Sequence, residues 1–238
     1  MALPTAQIVV LLLVTVIPGI IILNGSLKSQ GWIKPLLSLS GSFLLALSFC
    51  HLLPEAYHHE GATVGVFVLL GFFAQVILES VTKGVEHGHY HSHGHFSKYF
   101  PLLVIGGLSL HSMLEAMPIG GHNHVGSGNT YLTGIALHKF PIALTLASIL
   151  KTTPLKNYSR WIWFGLFCLS APIVIVALHF FPEQIISERF SNLSSAFAVG
   201  IFLHVSTTIL FEVEDGHRLK ASKFAAIISG LLIYYFLV

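Results

Sequence analysis

This sequence has little charge. Of its 238 residues, 12 are lysine or arginine and 10 aspartate or glutamate, 9% in all, against 54% hydrophobic residues and a mean hydropathy of +0.78. A soluble domain is about one-quarter charged, so an ordinary water-facing surface is excluded and an integral membrane protein is implied. The net charge of +2 includes no basic tail, which leaves no footprint for nucleic acid. Cysteine is nearly missing. Cys50 and Cys168 both fall inside apolar runs, and offer neither a disulfide framework nor a Cys-x-x-Cys metal motif. No ATPase motif is present, and neither is the His-Glu-x-x-His signature of zinc hydrolases.

What is there is apolar and continuous. Eight runs, at roughly 7–23, 33–53, 61–82, 99–121, 130–150, 160–181, 191–211 and 221–238, each approach the ~20 residues that cross the hydrocarbon as helix. None shows the short alternation of a membrane strand. The expectation is an all-α integral membrane protein of eight transmembrane helices. The first run lacks the basic start of a cleaved signal peptide and is counted as a retained helix.

Basic residues orient the bundle. One set of alternate loops holds Lys28 and Lys34; Lys83 and Lys98; Lys151, Lys156 and Arg160; and Arg218, Lys220 and Lys223, whereas the opposite set holds only Arg189. The positive-inside rule then puts both termini outside, in the extracytoplasmic space. No stretch between spans is long enough for a separate domain. Residues 1–238 therefore read as a single transmembrane domain with a His-rich cytoplasmic loop at about 83–98. Gly41-Ser-Phe43-Leu44 with Glu55, and Gly200-Ile-Phe202-Leu203 with Glu214 at the same offset, echo each other on spans of opposite direction, the relation expected of an inverted repeat.

Polar residues inside spans carry the chemistry, because ionisable groups in hydrocarbon usually mark an ion or proton path. In LSLHSMLEAMPIGG, His111 and Glu115 lie four residues apart and share a helix face. His138, in TGIALHKFPIALTL, falls at similar depth on the next span. Two imidazoles and a carboxylate suit zinc and, less selectively, iron, manganese and related divalent ions. Pro118 and Pro141 remove the hydrogen bonds to the Leu114 and Leu137 carbonyls beside this set. Lys139 is expected to pair with Glu115 or Glu79, or to take the place of a second metal. His51 and Glu55, on one face at the outer end of the second span, form an entry path. His58, His59, His122 and His124 lie on the same outer side. Glu79 and His204, within or near spans, are given no ligand role.

The loop VEHGHYHSHGHF alternates His87, His89, His91, His93 and His95 with small or polar residues, so several imidazoles can reach one metal. Its expected role is capture, delivery or sensing of metal on the cytoplasmic side. Glu212, Glu214, Asp215 and His217 are a candidate exit.

Taken together, the eight spans, the His-rich loop, F-C-H-L-L-P-E-A in the second span, L-H-S-M-L-E-A in the fourth and L-H-K-F-P-I-A in the fifth resemble the ZIP family of divalent-metal importers. The resemblance implies a 3+2+3 helix arrangement, a transport site on the fourth and fifth helices, and movement of zinc or a related metal toward the cytoplasm, often by a homodimer. It implies no enzymatic activity and no cofactor. His111 and Glu115 match the fourth-helix ligands, His138 the first fifth-helix ligand, and Ser112 falls where many members have Asn.

The sequence departs from the two-metal pattern. Lys139 stands where some members have a ligand of a second site, Ile142 stands where many have a bridging Glu, and CLSAP in the sixth span has no carboxylate near Pro172. One principal metal is expected, with Ser112 and Lys139 at the secondary-site positions. Because ligation requires deprotonated donors, uptake is expected to depend on pH. The transported ion is expected to be Zn2+, with Fe2+ or Mn2+ as alternatives, and the location the plasma membrane. An intramembrane zinc hydrolase and a metal-sensing receptor without transport are the competing readings.

Overall fold

The computed structural model describes residues 3–25, 30–87, 100–121, 128–182, 184–211 and 220–237. Among them are nine α-helices: α1 (Thr5–Asn24), α2 (Gln30–Leu47), α3 (Leu53–Glu60), α4 (Thr63–Thr82), α5 (Phe100–Gly120), α6 (Gly128–Thr152), α7 (Asn157–His179), α8 (Glu188–Phe211) and α9 (Ala221–Leu237). There is no strand among the described residues. Seven stretches are long and apolar enough to span a bilayer, one of them combining α2 and α3. The last run forms α9, 17 residues long. At 1.5 Å per residue that is about 25 Å, the lower limit for a span.

The second span differs from the sequence expectation. Its apolar run ends near residue 53, yet helix continues to Glu60 through a π turn at Ser48–Leu52. Pro54 is the physical reason: it has no N–H to give the Cys50 carbonyl, and a widened turn absorbs the mismatch. Within that turn the Leu53 N–H reaches back five residues to the Ser48 carbonyl. Gly61, at φ +57°, ends the helix with its N–H on the Tyr57 carbonyl at 3.1 Å, a backbone shape that a side chain would strain.

The inner end of α4 holds a second difference. Lys83 and Gly84 both take positive φ and turn the chain into a short 3-10 segment, Val85–His87. Val85 and Glu86 are wholly buried. Lys83 itself is exposed, so the chain turns back into the protein across the two residues that follow α4. His89, His91, His93 and His95 lie outside the described residues, as do His122, His124 and the cluster Glu212, Glu214, Asp215 and His217.

Packing sorts the helices into two groups. In one, α5 lies against α7, and α1 against α6 and α7; in the other, α4 lies against α8, and α2 against α8 and α9. The groups meet where α2 packs on α6, and where α4 and α8 pack on α5. Small residues permit the closest approach. A Cβ added at Gly71 of α4 would lie 1.9 Å from the Phe197 carbonyl oxygen of α8, and one at Gly200 would lie 2.0 Å from the Val68 oxygen. The two backbones touch through these glycines, the usual device where lipid supplies no hydrophobic drive between helices.

Buried hydroxyls cost little here, because they bond to carbonyls of their own helix: Thr15 to Leu11 at 2.9 Å, Thr145 to Pro141 at 2.9 Å and Ser170 to Phe167 at 2.7 Å. The opposite faces are apolar and outward. Val66, Leu69, Phe73 and Ile77 form an exposed stripe along α4, suited to lipid.

Candidate metal centre

Helix α5 turns His111, Ser112 and Glu115 inward, and α6 does the same for His138 and Lys139; all five side chains are buried, between 0% and 2% exposed. In such a place each polar atom needs a partner. Glu115 divides its two oxygens. Oε2 accepts from Lys139 Nζ at 3.0 Å, and Nζ also donates to Ser112 Oγ at 2.6 Å. Oε1 faces the histidines, 2.9 Å from His111 Nε2 and 3.7 Å from His138 Nε2.

Hydrogen bonding defines what this arrangement accepts. His111 Nδ1 donates to Gln75 Oε1 of α4 at 2.8 Å, which leaves Nε2 of a neutral imidazole with a lone pair. A carboxylate oxygen, Glu115 Oε1, lies 2.9 Å from that nitrogen, and neither atom has a hydrogen-bond partner among the described residues. Two acceptors at that separation repel unless a cation, either a proton or a metal ion, lies between them.

The donor spacing suits a metal ion. His111, Glu115 and His138 each offer one ligand atom, and these atoms all lie within 4.8 Å of one another. A tetrahedral zinc with bonds of about 2.0–2.1 Å sets its ligands about 3.3 Å apart, and the observed 2.9 and 3.7 Å lie on either side of that value.

Two details hold the frame. The Tyr131 hydroxyl donates to the Glu115 carbonyl at 2.7 Å, in the turn that Pro118 leaves short of backbone donors. Both Pro118 and Pro141 lie inside unbroken helices. Ile142, one turn beyond His138, is buried and apolar, so the position after the site offers no second carboxylate.

Other residues singled out in the sequence lie elsewhere. His51 Nε2 and Glu55 Oε2 approach to 3.8 Å at the α2–α3 end, about one-quarter exposed. His58 and His59 are exposed just beyond. Glu60 ties α3 to α8, accepting from Asn192 at 3.2 Å and pairing with Arg189 at 3.5 Å. Lys139 meets Glu115, and Glu79 meets His204 at 2.5 Å between α4 and α8. Gln75 is the residue that reasoning from sequence passes over. Its signal was a polar side chain one turn before Glu79 in an otherwise apolar span.

A search of curated proteins finds no match to this chain. The family model described as ZIP Zinc transporter matches residues 86–238, well over half the chain and including both helices of the buried cluster. Chain-wide apolar helices and this match agree: the protein is a membrane-embedded metal-ion transport protein, and it belongs to the ZIP zinc transporter family.

Proposed function

We propose that the protein moves a divalent metal cation, Zn2+ foremost, across the membrane toward the cytoplasm through a site made by His111, Glu115 and His138. One observation carries this reading: the buried, uncompensated approach of His111 Nε2 to Glu115 Oε1 at 2.9 Å, with His138 beside it. Three protein donors leave a coordination position for water, which suits a site that must also release its ion.

Transport of one ion at a time follows from Lys139. Its ammonium holds the Glu115 oxygen that would otherwise serve a second metal, and Ser112 completes its shell. An ion reaches the site from the outer face past His51 and Glu55, and leaves inward toward the His-rich loop. The excess of Lys and Arg in alternate loops supports this orientation, with both termini outside; the plasma membrane is the proposed location.

A 3+2+3 arrangement with an inverted repeat is supported by the packing. Exchanging spans one with six, two with seven, three with eight and four with five turns the α1–α6 contact into α7–α5, and α4–α8 into α9–α2; all four are extensive. The α2–α8 contact maps onto itself, and these helices carry the Gly41 and Gly200 echoes.

The test is zinc flux into proteoliposomes, with His111→Ala, Glu115→Ala and His138→Ala as comparisons. Flux abolished in all three supports the site. Tight zinc binding by the unaltered protein without flux would make it a receptor, and metal-dependent bond cleavage without flux a hydrolase.

A further inference from the structure

We infer that Gln75 is a positioning residue for the transported metal, its side-chain amide selecting which nitrogen of His111 faces the site. The inference rests on the transport site proposed above. Gln75 stands on α4, in the other helix group from His111, and is completely buried in an apolar span. An amide there is costly unless its hydrogen bonds are used. Its Oε1 accepts from His111 Nδ1 at 2.8 Å, while its Nε2 has no partner among the described residues.

An amide differs from the carboxylate that commonly backs a metal-bound histidine. In the observed orientation Oε1 takes the Nδ1 proton, and Nε2 of the ring offers its lone pair to a metal. Rotated by half a turn, the amide donates from its own Nε2 to a bare Nδ1, and the ring then carries its proton on Nε2, the nitrogen 2.9 Å from Glu115 Oε1. The first form fits the loaded site and the second the empty one. The imidazole is neutral in both, since the proton given up at Nε2 is matched by one taken at Nδ1. Gln75 therefore satisfies His111 with the metal present or absent, which favours release as well as capture. A carboxylate would support only the loaded form and would add a negative charge. An apolar residue of the same length would support neither.

Zinc uptake by proteoliposomes holding the full chain, with Co2+ titration of detergent-solubilised protein, tests this with Gln75→Glu and Gln75→Met. The glutamate variant is expected to bind Co2+ more tightly, lowering KM and Vmax together. The methionine variant is expected to bind it about 10- to 100-fold more weakly, the usual loss when a partner of a ligating histidine is removed, and to raise KM. Opposite shifts support the inference, because a packing defect would not move KM in two directions. Unchanged KM in both variants, or a shift in the same direction, would overturn it. If the methionine variant does not fold, the glutamate variant decides alone, an unchanged or raised KM rejecting the idea. His111→Ala separates the layers: transport surviving that change refutes the site itself, whereas transport lost there with Gln75 variants unaltered refutes only the role of Gln75.

Discussion

Lys139 Nζ lies 3.0 Å from Glu115 Oε2, with both side chains buried among apolar helices. The pair does two things at once. It neutralises a carboxylate that the bilayer interior would otherwise penalise, and it leaves the second oxygen, Oε1, directed at two imidazoles.

Replacing Lys139 with methionine should expose the first role. Breaking one side of a buried ion pair costs about 3–5 kcal/mol, so the variant should melt well below the unaltered protein in detergent with a chelator present. Zinc should then restore much of the loss, because a ligand at one hundred times its Kd adds about 2.7 kcal/mol. A zinc-induced rise in Tm no larger than in the parent would mean that Lys139 and metal do not share Glu115.

Tyr131→Phe removes the hydroxyl that caps the Glu115 carbonyl at 2.7 Å. Loss of one such bond costs about 1 kcal/mol, read as a Tm lower by roughly 2–4 °C for a chain of this size. Zinc flux should persist, since none of the three ligand atoms is touched.

The glycine contacts between α4 and α8 predict opposite signs for one chemical change. Gly71→Ala and Gly200→Ala place a methyl group against backbone, and overpacking of this kind costs about 1–3 kcal/mol. Gly106→Ala and Gly165→Ala meet nothing within 4 Å, and in a helix alanine is favoured over glycine by up to about 1 kcal/mol. Thermal unfolding of the four variants should split them into two below and two at or above the parent.

Changing His87, His89, His91, His93 and His95 together to serine tests the loop. If these residues receive or sense metal on the inner side, the dependence of uptake on zinc concentration should change while binding at the buried site persists. Identical uptake curves would reduce the tract to a linker.

The residues of the site were legible in the sequence for a plain reason. In an apolar run a histidine and a carboxylate four apart stand out, because ionisable groups in hydrocarbon are rare and costly, and helix periodicity places them on one face. His138 and Lys139 were legible by depth along the adjacent span. Gln75 was not, because an uncharged amide in a membrane helix carries little signal until its neighbour across the groove is known. The π turn before Pro54 and the burial of Glu86 were missed for a related cause. Both depend on how one segment seats against others, and hydropathy reads each segment alone. Glu86 Oε2 accepts from Thr82 at 2.6 Å, a contact within one turn that composition had assigned to solvent.

The Lys139–Glu115 pair also fixes how membrane voltage acts on the proposed cycle. With both histidines neutral, the empty site has one positive and one negative charge and sums to zero; with a divalent ion bound it carries two positive charges. A field across the bilayer does work of about 2.3 kcal/mol per charge per 100 mV, so it drives the loaded site and leaves the empty one untouched. Reorientation after release then runs without electrical opposition, and inward current should steepen with voltage only as metal is supplied.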